Sequence, residues 1–389
     1  MRMRPGLLAL CALPVLLSLA ALSPAVAPAL AAEPIVLGLV YNLTGEMASI
    51  DQPGLNGALL AVEAVNAKGG VLGRPLSPVM VDGHSDTHAL SLAMAKFMAD
   101  ERPSAVCGLN DTTFVLAAAP PVLAAGVPFV TAGATWQGLP DLLGPGFFLA
   151  PFGDDAQAQA MARFTARTLK AKNVWVLSDL SHDFTRGLAT DYIKEYVATG
   201  GQVLDEIRYA TGETTFAAQT AALKTLPRQP EAVFLSAVPQ DVPTAIPALR
   251  AAGYQGPILS GDGLDTPLLD ALPAEQAGTV YFSTHVALDK KTPRVSGFVS
   301  DYAARYGAAP DSGFAALGHD AVMLVVAAMQ RAGSAEPEAV RAALSQTRNF
   351  EGITGTITYP PGMRVPKKPV DIIRLENGRR SFAAGVNPE

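Results

Sequence analysis

The stretch Val106 to Thr135, VCGLNDTTFVLAAAPPVLAAGVPFVTAGAT, holds two strand-like runs, and each ends in small residues that include threonine. Ala105 to Gly108 leads into Asn110-Asp111-Thr112-Thr113 and then into an apolar segment, Phe114 to Leu123, that reads as a helix. Val127 to Thr131 leads into Ala132-Gly133-Ala134-Thr135. Strand, polar turn and helix in that order make an α/β unit. In an open parallel sheet a ligand sits beyond the carboxyl ends of the strands, where helix N-termini offer unpaired N–H groups that suit an anion such as a carboxylate. The competing reading is that both threonine turns are ordinary helix caps, because Ser and Thr are favoured there whatever the function.

The same unit repeats in both directions. Ile35 to Tyr41 is a continuous apolar run suited to a buried parallel strand; it ends in Asn42-Leu43-Thr44-Gly45 before a helix from Pro53 to Asn66. Leu76 to Val81 is the next strand, followed by a polar loop and a helix to about Asp100. With the opening stretch this makes four strands and their helices, one doubly wound lobe. After Pro151 the pattern restarts, with helices at Asp154 to Leu169, Phe184 to Thr199, Phe216 to Leu223 and Asp241 to Ala252. Strands at Val174 to Leu177, Gln202 to Ile207, Ala232 to Leu235 and Pro257 to Leu259 alternate with them. The remainder holds helices at Val295 to Tyr306, Phe314 to Gln330 and near Ala339, with strands at Ile353 to Tyr359 and Val370 to Leu375. The reading is α/β: two doubly wound lobes joined by a hinge of several crossings. Residues 32–151 plus about 285–348 form the first lobe, and 152–284 plus about 349–389 the second. Such lobes enclose a cleft that closes on a ligand.

The chain has 389 residues, which suits two domains of about 100 to 200 residues each. Hydrophobic residues make up 49% and charged residues 16%, a globular balance. Beyond the N-terminus no apolar run reaches the roughly 18 residues of a spanning helix. A net charge of -6 argues against nucleic acid as the main partner, since phosphate binding needs a basic face. Arg2 and Arg4, the apolar run Leu7 to Leu22 and Ala29-Leu30-Ala31 read as a signal peptide cleaved near Ala31, which places the mature chain in the periplasm. Cleavage would remove Cys11 and leave Cys107 as the one cysteine, so no internal disulfide is expected.

Tyr41-Asn42-Leu43-Thr44-Gly45, Val65-Asn66-Ala67-Lys68-Gly69-Gly70-Val71-Leu72-Gly73-Arg74-Pro75-Leu76, Gly133-Ala134-Thr135 and Gly261-Asp262-Gly263 stand in an order that resembles the periplasmic leucine/isoleucine/valine-type substrate-binding proteins of ABC transporters. The resemblance spans nearly all of the chain after residue 31. It implies the type I periplasmic binding protein fold and capture of a small amino acid or related polar ligand, delivered to an inner-membrane ABC permease. It implies no catalysis, no cofactor and a monomer.

The resemblance also implies a pocket. Thr112 and Thr113 would hold the ligand carboxylate, Thr135 with Ala134 would fill the second turn, and Ala132 would offer a backbone carbonyl. Asp262 would pair with the ligand ammonium, and Phe184 stands where the family commonly has tyrosine. A zwitterion leaving water needs donors at one end, a charged acceptor at the other and an apolar wall. Two features depart from the family: Phe184 lacks a phenol hydroxyl, and Val238-Pro239 replaces the tyrosine usual in the second lobe. For Asp262 the alternative is a turn residue, and for Phe184 a core aromatic.

Asp82, His84, Asp86 and His88 have a spacing that could gather metal ligands, but Asp86 is also a good helix cap, and no metal site is assigned. No Gly-x-Ser-x-Gly elbow, phosphate loop or His-Glu-x-x-His pattern is present. An exported hydrolase, whose one candidate pair is Ser181-His182, is the rival from another class; a ligand sensor feeding a signalling receptor is the rival within the same fold.

Overall fold

The computed structural model describes residues 1, 2, 6 and 33–387. The expected apolar leader and its cleavage site near Ala31 lie outside the described residues.

The first lobe opens with β1 (Ile35–Tyr41), α1 (Ala48–Ala67), β2 (Leu76–Asp82), α2 (Thr87–Asp100), β3 (Ala105–Gly108), α3 (Thr112–Ala124), β4 (Phe129–Thr131), α4 (Leu139–Leu143) and β5 (Phe147–Leu149). Its sheet runs β2-β1-β3-β4-β5, all parallel. The fifth strand was not expected from sequence: three residues carry no readable period.

The second lobe follows with α5 (Asp154–Arg163), β6 (Asn173–Asp179), α6 (Asp183–Ala198), β7 (Gln202–Tyr209), α7 (Ala217–Thr225), β8 (Ala232–Ser236), α8 (Val242–Ala251) and β9 (Ile258–Ser260). Two short helices, α9 (Pro267–Asp270) and α10 (Ala274–Ala277), lead to β10 (Val280–Thr284). Next come α11 (Pro293–Tyr306), α12 (Phe314–Ala332), α13 (Pro337–Ser345), the hairpin β11 (Phe350–Gly352) and β12 (Gly355–Ile357), β13 (Val370–Glu376) and β14 (Arg379–Val386). The second sheet runs β14-β13-β10-β9-β8-β6-β7, parallel except where β13 and β14 join it antiparallel. The architecture is the two-lobed α/β fold expected from sequence.

The chain crosses between sheets after β5, after β10 and before β13. α12 returns to the first lobe and lies along α1 at very close range. A side chain at Gly57 would come within 1.7 Å of the Ala315 carbonyl oxygen, and one at Gly318 within 1.9 Å of that of Gly54. Only glycine permits that approach. The hairpin, which the sequence reading grouped with the second lobe, packs against α12: Asp320 accepts hydrogen bonds from the Ile353 and Thr354 N–H groups, both 2.8 Å. Ile353 and Thr354 form its turn, where the sequence suggested a continuous strand to Tyr359.

Each sheet reverses its strand order once, between β1 and β3 in the first lobe and between β6 and β8 in the second. Such a switch point opens a crevice at the carboxyl ends of the strands. Everything described below lies around these two crevices and the crossings beside them.

Candidate ligand-binding cleft

The turn after β3 is capped by Asp111, not by threonine. Its carboxylate accepts from the Thr113 and Phe114 N–H groups at 2.8 and 3.4 Å. Asp111 therefore does the work that the competing reading gave to Thr112 and Thr113. Thr112 is fully buried, and its Oγ1 has no hydrogen-bond partner among the described residues. Thr113 Oγ1 accepts from the Asp183 N–H of the second lobe at 3.1 Å, so this hydroxyl ties the two lobes together.

The turn after β4 is closed by a residue that sequence reasoning passed over. Thr131 Oγ1 donates to the Leu109 carbonyl at 2.9 Å and accepts from the Ala134 N–H at 3.0 Å. Ala132 is buried, with its N–H given to the Gly108 carbonyl. The Thr135 carbonyl accepts from the Asp154 N–H at 2.8 Å, which fixes this turn to the first crossing.

Asp262, in the turn after β9, is not an open carboxylate. Gln157 Nε2 donates to its Oδ1 at 3.1 Å, and His285 Nε2 lies 2.8 Å from its Oδ2. Gln157 also donates to Asp154 Oδ1 at 2.8 Å, while its Oε1 accepts from Ser283 Oγ and the Asp262 N–H. Phe152 stacks on the His285 ring with centroids 4.0 Å apart. Burial lowers the pKa of His285, against the opposing influence of Asp262, and favours the neutral ring. Burial raises that of Asp154 well above the usual carboxylate range. The Asp262 and Asp191 charges add to this, while the Thr135 hydroxyl and Gln157 oppose it.

Phe184 packs in the second lobe's core with Leu188 and Phe234, and its ring also borders Gly263 beside Asp262. Both readings offered for it are thus compatible with its position. Val238 packs across the cleft among Phe114, Ile50 and Phe314 of the first lobe.

The lobes also meet through a histidine. His182 Nδ1 is 3.0 Å from Asp179 Oδ2 in its own lobe, and Nε2 is 3.1 Å from Glu46 Oε1 in the other. Burial alone would lower its pKa. The bonds to Asp179 and Glu46, with the charges of Asp111 and Glu46, overcome this and raise it to about 10. Both ring nitrogens of His182 are engaged by the carboxylates of Asp179 and Glu46, so neither is open as a base for the Ser181 hydroxyl, which accepts from the Thr211 N–H. Asp86 caps α2 as expected, accepting from the His88 and Ala89 N–H groups.

Asp51 is buried beneath the cleft, holding the Asn42 N–H at 2.7 Å and Asn110 Nδ2 at 2.8 Å. Burial pushes its pKa up to about 7, against the lowering effect of these bonds. A separate cavity of about 410 Å³ opens at the crossings, lined by Lys290, Arg294, Thr354 and Asp371. Of the cleft's polar cluster it shares only His285.

Residues 34–380 match the periplasmic binding protein family. The chain belongs to that family. It is accordingly an extracytoplasmic solute-binding protein of the kind that serves ABC transporters, and not an enzyme. It is 28% identical over 357 residues to the Leu/Ile/Val-binding protein BraC3 of Rhizobium johnstonii, covering 90% of this chain and 94% of that one. It is similar to the crystal structure of a leucine-binding protein from Thermotoga maritima, with a TM-score of 0.82 and 29% identity, covering 91% of this chain and 99% of that one. It is also similar to a branched-chain amino acid transporter substrate-binding protein from Streptococcus pneumoniae in complex with isoleucine. There the TM-score is 0.84 and the identity 25%, covering 91% of this chain and 100% of that one.

Proposed function

We propose that this protein, as a monomer in the periplasm after removal of its leader near Ala31, captures a small amino acid or a related carboxylate-bearing solute between its lobes. The closed complex is then delivered to an inner-membrane ABC permease. The observation that carries the reading is Thr112. A buried hydroxyl normally finds a partner, and one left without costs about 1–3 kcal/mol. Here the unpartnered hydroxyl stands at the first turn of α3, beside the switch point of the first sheet, where a ligand oxygen can take it as a donor. Thr135 and Ala134 lie in the neighbouring turn; the Ala134 N–H is held by Thr131 Oγ1, which leaves the Thr135 side chain as that turn's candidate contact. The apolar wall comes from Phe184 and Val238. The relatives named for leucine, isoleucine and valine support this ligand class.

A thermal-shift screen of the chain from Ala32 onward against the amino acids, small carboxylates and aromatic acids tests the reading. A ligand that binds only the native state raises the melting temperature by mass action, by about 2.7 kcal/mol of stabilisation at a hundredfold excess over Kd. An amino acid should produce a concentration-dependent shift. A response confined to solutes without a carboxylate would refute the assignment.

A further inference from the structure

The cavity of about 410 Å³ at the crossings draws its walls from both lobes. Its volume lies in the range of small-molecule sites, about 300–1,000 Å³. Val286 comes from the crossing between β10 and α11, and Pro369 from the crossing before β13. Ile353 and Thr354 are the hairpin turn that Asp320 of α12 holds in the first lobe. Val286, Ile353 and Pro369 make the walls largely apolar.

Two cations flank the cavity, and each is anchored to a different lobe. Lys290 Nζ lies 2.7 Å from the carboxylate of Asp371, on β13 of the second sheet, and 4.9 Å from the centre of the Phe382 ring on β14. Asp371 is buried and also accepts from the Ala287 N–H at 2.8 Å, so this pairing is firm. Arg294 stands in the first turn of α11, a helix tied to α1 by the bond from Tyr306 to the Asn56 carbonyl at 2.8 Å. It pairs with Glu351 of the hairpin, and its Nη1 reaches the Gly352 carbonyl only at 3.5 Å. Glu351 is 68% exposed, so water screens that pair and it contributes little.

The charges around the cavity do not balance. Behind Thr354 stands a third cation, the buried Lys368, whose Nζ donates to the Thr354 hydroxyl at 2.6 Å and to the Ala150 carbonyl at 2.9 Å. Thr354 in turn donates to Asp320 at 2.7 Å. Lys290, Arg294 and Lys368 thus face two buried acids, Asp371 and Asp320, and one exposed acid, Glu351. Exposed charges are screened more than buried ones, so an excess of positive charge remains. That excess suits an anion.

We propose that this cavity is a second binding site, for a small carboxylate with an apolar body, whose occupant holds the lobes together and so tightens the cleft's grip on its own ligand. The carboxylate takes the place of Glu351 on the planar Arg294 fork, which matches it bidentately, and the Lys290 ammonium adds charge from the other lobe. Because Arg294 moves with the first lobe and Lys290 with the second, a solute touching both fits one arrangement of the lobes. The lobes are together here, joined from Thr113 to Asp183 and from Glu46 to His182. An occupant therefore favours the closed arrangement, and the cleft ligand must tighten the occupant by the same factor. His285 belongs to both places, since it lines the cavity and meets Asp262 through Nε2. The coupling rests on the cleft reading above; the site itself does not.

Equilibrium dialysis of the full mature chain tests the site, with radiolabelled isovalerate and benzoate as probes, their amides as uncharged controls, and ionic strength held constant. The cleft is first saturated with the best amino acid from the screen, so a carboxylate that still binds lies outside it. One equivalent should bind, and its presence should tighten the amino acid at least fivefold in calorimetry. Arg294→Gln should weaken the carboxylate at least tenfold, while the amino acid measured alone stays within about twofold of the parent. Glu351→Gln breaks the same ion pair but frees the guanidinium, so it should leave carboxylate binding intact or tighter; a merely structural pair would answer alike to both changes. No carboxylate bound once the amino acid fills the cleft, or the same response in both variants, would overturn the site. Carboxylate binding that leaves the amino-acid affinity unchanged would overturn the coupling. If no amino acid binds the parent protein, the functional reading fails, and the contrast between Arg294→Gln and Glu351→Gln, read without amino acid, still decides the site.

Discussion

Glu46→Gln should weaken ligand binding without touching the ligand. Glu46 and His182 belong to different lobes and meet at 3.1 Å, with side chains 24% and 5% exposed, so solvent screens the pair less than it would a surface ion pair. A hydrogen bond to a charged group contributes about 1.5–3 kcal/mol. The bond exists only while the lobes are together, so its loss falls on the closing equilibrium. At about 1.4 kcal/mol per tenfold, affinity should drop by roughly tenfold to a hundredfold. Calorimetry with the best amino acid from the screen, at neutral pH, measures it. An affinity within about twofold of the parent would refute the claim that this pair holds the lobes closed. The pair also carries a pH signature. The His182 pKa, ordinarily about 6.5, is raised to about 10, so its contribution is full below about 6.5 and is lost as pH rises towards 10. Asp179 stays beside His182 when the lobes part, so affinity should fall in the upper part of that window, as pH nears 10, and Glu46→Gln should flatten the fall.

Thr112→Val removes a hydroxyl that has no hydrogen-bond partner among the described residues; the melting temperature of the unliganded protein should hold or rise slightly, while carboxylate ligands weaken at least tenfold by calorimetry. Gly57→Val drives a side chain into the Ala315 carbonyl and should cost about 1–3 kcal/mol or more in denaturant unfolding; an unchanged midpoint would mean that α1 and α12 are not so closely packed. Lys368 is buried at the crossings, bonded to the Ala150 carbonyl and Thr354, and burial lowers its pKa to about 8. The unfolded chain holds that proton to about 10.4, so the cost of charging it is full below about 8 and disappears as pH rises through that window. Lys368→Met should remove this rise from the pH profile of stability, and a variant profile parallel to the parent's would contradict it.

The central α/β stretch was legible because its period and turn chemistry agree: β3 was read to the residue, and α3 to within two residues at its start. β5 and β10 were missed, β5 because three residues offer no period. β14 was missed because it is a largely exposed edge strand, with no apolar face to mark it. α1 begins five residues before the expected start, because Pro53 lies inside the helix where proline more often opens one. The threonine turns of the cleft were visible as residue types, and their place at the strand ends followed from the α/β pattern. The acid end was not legible. Asp154, Gln157, Asp262 and His285 come together from three stretches of chain, with Gln157 and Asp262 105 positions apart, and no local spacing records that. Nor does a sequence show that Asp262 is already engaged by Gln157 and His285.

A crystal structure of the mature chain grown with the best amino acid from the screen would test the account most directly. The ligand should lie between the lobes, with its carboxylate within about 2.7–3.1 Å of Thr112 Oγ1 and its side chain towards Phe184 and Val238. A ligand seated elsewhere, for instance in the cavity lined by Lys290 and Arg294, with Thr112 still unpartnered, would contradict it.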